Sequence, residues 1–77
     1  MNMMDVISEK QKGEAISIHL KSGVLISGNF KKVDGGLLKM TDTYVICHGY
    51  QYSSPRVIVE IDAVEMCLPG EKDLSFR

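Results

Sequence analysis

From Ala15 to Leu68 the chain is written in short apolar runs that alternate with polar residues, and the longest run carries a glycine near its centre. In Ile16-Ser17-Ile18-His19-Leu20 the aliphatic residues fall on one side and the polar ones on the other, the period of a half-buried strand. The next run, Val24-Leu25-Ile26-Ser27-Gly28-Asn29-Phe30, continues to Val33 as one long strand. Gly28 weakens a flat strand and so marks a point of strong bending. With Val57-Ile58-Val59-Glu60-Ile61 as a further segment, the pattern predicts a single curled antiparallel sheet.

Turn chemistry divides the rest. Ser22-Gly23 closes a hairpin and Asp34-Gly35-Gly36 supplies a second turn. A strand resumes over Leu37–Met40, turns or bulges at Asp42-Thr43, and continues over Tyr44–His48. Gly49–Pro55 contains no aliphatic residue and carries Tyr50 and Tyr52, which predicts an exposed loop. Val57–Ile61 and Val64–Leu68 form two short strands with a tight join at Asp62-Ala63, and Pro69-Gly70 ends the sheet. At the other end, Asn2 can cap a short helix with Asp5 three positions on and Gly13 as a stop. So short a helix needs an open end of the sheet to cover. The expected fold is mainly β: one domain over 1–77, with a helix over about 2–12, a strongly bent five-stranded barrel over about 14–68 and a polar tail over 69–77.

A chain of 77 residues has room for one small core. Assembly with other copies would add stability by pairing strand edges that otherwise expose N–H and C=O groups. Nine Lys and Arg against ten Asp and Glu give a net charge of −1, which excludes the broad basic field of a general duplex binder. The charges are uneven. Lys10, Lys12, Lys21, Lys31, Lys32 and Lys39 face only Glu14 and Asp34 in the first half, whereas Glu60, Asp62, Glu65, Glu71 and Asp73 dominate the end. Most of those lysines read as a solvated strand surface.

Cys47 and Cys67 are too few for a disulfide scaffold and read as small hydrophobes in or beside the core. His48 adjoins Cys47, but neighbouring strand residues point to opposite faces, so no zinc site is expected, nor any other metal or cofactor. No stretch nears the ~20 apolar residues of a membrane span, and the opening residues lack a signal-peptide pattern, so a cytoplasmic location is expected. Phosphate-loop, nucleophile-elbow and zinc-protease sequences are all missing, so an enzyme is not expected.

The order of short helix, strand, glycine turn, long strand with a central glycine, Asp turn, strand and closing strand pair resembles the Sm-like family. Ile18-His19-Leu20-Lys21-Ser22-Gly23 with Gly28 and Asp34 is similar to its first motif, and Val57–Met66 to its closing pair. The resemblance runs from about Val6 to Leu68. It implies an SH3-like barrel, closure of several copies into a ring, and binding of single-stranded RNA. Yet Gly36 stands where members carry a base-stacking residue, and Leu38 where an Asn reads uracil; a one-residue shift brings Lys39 there instead. Glu60-Ile61 replaces an expected Arg-Gly, and the Lys-His pair of the bacterial RNA-chaperone branch is missing. The chain therefore resembles a divergent bacterial or phage-type member without the usual uridine pocket.

Two readings follow. One is a ring that binds RNA through a non-standard surface built from Lys31, Lys32, Asp34, Lys39, Tyr50, Tyr52 and Arg56. The other is a structural or protein-interaction module that binds no RNA, in which Tyr50 and Tyr52 pack on a neighbouring subunit. In both, the fourth strand of one subunit pairs with the fifth of the next, and Ile58, Val59, Val64 and Met66 contribute to core or interface.

Overall fold

The computed structural model describes residues 2–70. Helix α1 (Met3–Ser8) is followed by strands β1 (Ala15–Leu20), β2 (Leu25–Asp34), β3 (Leu37–Cys47) and β4 (Tyr50–Glu60), then a 3-10 turn over Ile61–Ala63 and strand β5 (Val64–Pro69). All neighbours are antiparallel in one sheet ordered β4-β3-β2-β1-β5. The sheet is strongly bent rather than closed, so β4 and β5 remain as its two edges.

The bend follows a line across three strands. At Gly28 an added Cβ would lie 2.8 Å from Thr43 Cγ2 and 2.9 Å from the Thr41 carbonyl oxygen, so only glycine lets β2 approach β3 this closely. The β2–β3 register slips there, between Ser27 and Asn29. On β3, Asp42 takes the left-handed conformation at φ 51°. On β4, Pro55 lies between Ser54, opposite Thr43, and Arg56, opposite Thr41. A proline fits there because β4 is an edge strand. Buried Thr43 donates its hydroxyl to the Ser54 carbonyl at 2.7 Å, tying β3 to β4 where the ladder is irregular.

Ile16 and Ile18 of β1, Ile26 and Phe30 of β2, Leu38 and Met40 of β3, Val59, Ile61 and Val64 fill the concave side. Helix α1 seals its end through Ile7, which is fully buried. The helix is capped as expected: the Asn2 side chain accepts from the Asp5 N–H at 3.0 Å, and the Asp5 carboxylate accepts from the Asn2 N–H at 3.5 Å. It is shorter than the expected 2–12, because the backbone is drawn into the sheet before Gly13 can act as a helix stop. Gly13 donates to the Phe30 carbonyl and Phe30 donates to that of Glu14, both at 2.8 Å.

A second correction concerns the expected loop over 49–55, of which 50–55 is strand. His48 and Gly49, at φ 50° and 84°, make a two-residue hairpin turn, and β4 then pairs with β3 from Cys47↔Tyr50 onward. This part of the hairpin carries few core residues, so its backbone ladder needs no aliphatic stripe; the Tyr44 hydroxyl also bonds the Gln51 side chain across it. The remaining strands lie within a residue or two of expectation. The expected tail begins inside β5 at Pro69, and beyond Gly70 it lies outside the described residues.

Replacing Gly28 with alanine is expected to destabilise the fold by about 1–3 kcal/mol, the usual cost of forcing an extra carbon into a packed site. Urea unfolding monitored by circular dichroism checks this.

Candidate functional site

Two of the surface clefts and the two sheet edges concern the residues singled out from sequence. The first cleft forms where the β2–β3 turn meets the 3-10 join between β4 and β5. The Ile61 N–H donates to the Gly36 carbonyl at 3.0 Å, and the Lys21 N–H donates to that of Ala63 at 2.9 Å, so three connections are pinned together. The cleft has a volume of about 350 Å³ and is lined by Asn2, Met3, Met4, Lys21, Gly36, Ile61, Asp62 and Val64. Its side chains are aliphatic or thioether apart from one amide, one ammonium and one carboxylate. They include no aromatic ring to stack a base and no guanidinium to grip a phosphate. Leu38 is buried in the core and cannot read a ligand. Asn2, Met3, Met4, Lys21 and Asp62 are not among the residues singled out from sequence; the Asn2 cap shows where the helix starts but not which part of the sheet it meets.

The second cleft lies across β2, β3 and β4, has a volume of about 360 Å³, and is lined by Lys31, Lys39, Met40, Arg56, Val57 and Ile58. Three of the cations singled out from sequence meet here, although they come from three strands. Lys39 sits opposite Ile58, and Arg56 opposite the next residue but one on β3, Thr41. Lys31 falls at a register shift between Phe30, opposite Met40, and Lys32, opposite Lys39. Asp34 stands beside this group, its carboxylate 3.5 Å from the Lys39 ammonium and 4.0 Å from that of Lys32. Asp34 and Lys32 are exposed and Lys39 is half-buried at the surface, so the contribution of these pairs to stability is small.

The structure separates the tyrosines from these cations. Tyr50 and Tyr52 stand opposite Cys47 and Val45, near the hairpin tip and on the far side of the Pro55 bend from Ile58. They share a face of the strand, as the sequence implies, but are 68% and 55% exposed. Of the residues expected at core or interface, Val59 and Val64 are buried in the core, whereas Ile58 and Met66 are 62% and 44% exposed. Leu68 is 42% exposed and completes the set of exposed large apolar residues, every one of which lies on β4 or β5.

Neither chemistry nor metal binding is evident elsewhere among the described residues. No group of three or more His, Cys, Asp or Glu residues gathers there. Burial pushes the Cys67 thiol above its ordinary pKa, with Lys10 opposing the shift and Glu14 adding to it, which keeps the sulfur protonated and weakly nucleophilic. No helix among them is long and apolar enough to cross a membrane.

No protein-family model matches the sequence, and no curated protein matches it. Solved structures do match. The SmAP1 heptamer of P. aerophilum superposes with a TM-score of 0.72 at 18% identity, over 92% of this chain and 97% of that one. This chain has an Sm-like fold. The Sm protein of Pyrococcus abyssii, solved in complex with a uridine heptamer, aligns with a TM-score of 0.71 at 20% identity, over 90% of this chain and 99% of that one. A chain of the NatC complex bound to CoA aligns with a TM-score of 0.67 at 16% identity, over 79% of each. At these identities the likeness is one of fold.

Proposed function

We propose that this chain assembles head to tail through β4 of one copy and β5 of the next, and that the assembly binds single-stranded RNA without a uridine pocket. The observation that carries the assembly is the distribution of exposed apolar residues. Tyr50 and Tyr52 lie on one open edge strand and Met66 and Leu68 on the other, and every exposed large apolar side chain among the described residues is on one of these two strands. An open edge is a row of unpaired backbone groups, and pairing two unlike edges of identical copies continues the sheet. The same contact then repeats around a ring, the geometry in which heterologous interfaces close. The heptameric form of the P. aerophilum neighbour supports this reading, and the uridine heptamer held by the P. abyssii neighbour supports RNA as ligand.

The cleft at the β4–β5 join, which holds neither a base-stacking ring nor a guanidinium, favours a second reading, an oligomeric protein-interaction module that binds no RNA. The occurrence of the fold within the NatC complex also favours it. Neither reading assigns catalysis to the chain.

Light scattering is expected to give a discrete multiple of the 8.6 kDa chain mass. Met66→Asp combined with Leu68→Asp places charges on the β5 edge at positions already exposed in the single chain. The variant is expected to keep its β-sheet circular dichroism and fall to the monomer mass. An unmodified protein that is monomeric sinks the assembly. Labelled oligo-U and oligo-A are expected to bind with affinities within about threefold of each other, since a surface that holds backbone and stacks bases tolerates any sequence. A strong preference for oligo-U contradicts the loss of the pocket, and binding of neither by an intact oligomer selects the interaction module.

A further inference from the structure

We propose that the cleft between Lys31, Lys39 and Arg56 is where the phosphodiester backbone of single-stranded RNA lies; this rests on the RNA-binding reading above. Three observations converge on it. First, the register shift that isolates Lys31 between Phe30 and Lys32 is a local irregularity of the kind that re-aims a side chain, and Lys31 lines a cleft with residues of β3 and β4. Second, the charges are not internally cancelled. Asp34 engages Lys39 and Lys32, whereas Lys31 and Arg56 are exposed and make no ion pair among the described residues. An excess of positive charge therefore gathers here in a chain whose net charge is −1. Third, the cations border an aliphatic surface, since Ile58 stands directly opposite Lys39 and is 62% exposed.

The combination suits one narrow strand. Lysine presents a point charge and Arg56 a planar fork able to bond two phosphate oxygens at once. Ile58 offers an apolar contact for a ribose or base face beside them. A duplex needs cations spread over a wider surface than this cleft supplies. The assembly leaves the site intact, because it uses the backbone edge of β4 and the Tyr50 and Tyr52 side chains, which lie across the Pro55 bend from Arg56 and Ile58. A head-to-tail ring would repeat the cleft once per subunit along a continuous sheet, giving the strand a recurring track.

The test is titration of labelled oligo-A and oligo-U with the full chain at about 50 and 200 mM salt. Lys31→Ala with Arg56→Ala is compared with Lys12→Ala with Lys21→Ala, which removes equal charge and includes the lysine of the other cleft. Removing two phosphate contacts is expected to weaken binding about tenfold or more at the lower salt and to reduce the slope of log K against log salt by about 1.4, while the comparison variant binds like the parent. Lys31→Arg with Arg56→Lys keeps both charges and is expected to retain binding, which separates charge from damage to the fold. Light scattering verifies that each variant keeps the parental mass. Unchanged binding by the Lys31/Arg56 alanine variant, or equal losses in both alanine pairs, overturns the cleft and leaves RNA binding standing. Failure of the parent itself to bind RNA overturns both.

Discussion

The close approach of β2 to β3 at Gly28 governs this molecule. With 2.8 Å between an imagined Cβ and Thr43 Cγ2, and 2.9 Å to the Thr41 carbonyl, the site has no room for a side chain. The sheet folds over on itself along the line from Gly28 through Asp42 to Pro55. That fold lets ten residues from one short helix, five strands and a 3-10 turn share one core. A flat five-stranded sheet of the same sequence would leave its apolar face in water, because the six residues of α1 can cover only an end of it. The bend does the covering, and the helix closes what remains through Ile7.

The same constraint produces the surface on which the functional reading rests. Bending brings the β2–β3 turn beside the β4–β5 join, where Ile61 donates to Gly36, and creates the inner cleft. It leaves β4 and β5 at opposite ends of the strand order with their outer backbone groups unpaired. Positions on three neighbouring strands also bring Lys31, Lys39 and Arg56 around one cleft. Assembly and ligand binding then use different parts of β4, its backbone edge with Tyr50 and Tyr52 for the first and Arg56 with Ile58 for the second. This separation makes it physically simple for one strand to serve both.

Much of this was legible in the chain. The Ile16/Ile18/Leu20 alternation, the paired turn glycines and the isolated Gly28 are local signals, and each reports the geometry of its own neighbourhood. The Asn2–Asp5 cap was equally readable because a capping box is complete within four residues. The misreadings arose where the deciding contact was distant. Gly49–Pro55 has the composition of a loop, yet it is a strand because β3 supplies a ladder for it. The helix stops at Ser8 because residues 13 and 14 bond Phe30, far along the sequence. The convergence of Lys31, Lys39 and Arg56 was hidden for the same reason. Their cationic character was readable, but their meeting depends on the β2–β3–β4 register, including a slip that no residue type announces. Tyr50 and Tyr52, two positions apart on β4, drop out of the basic cleft only once that register is known.

Hydrogen exchange along β4 tests most directly whether the open edges of this sheet are occupied by further copies of the chain. The N–H groups of an edge strand point alternately toward its partner and away from it, and in an isolated chain the outward set meets solvent. If β5 of a neighbour covers β4, the outward amides between Gln51 and Glu60 are expected to exchange slowly, at rates comparable with those bonded to β3. Rapid exchange of that outward set, with the inward set protected, would contradict head-to-tail assembly and leave the bent sheet standing alone.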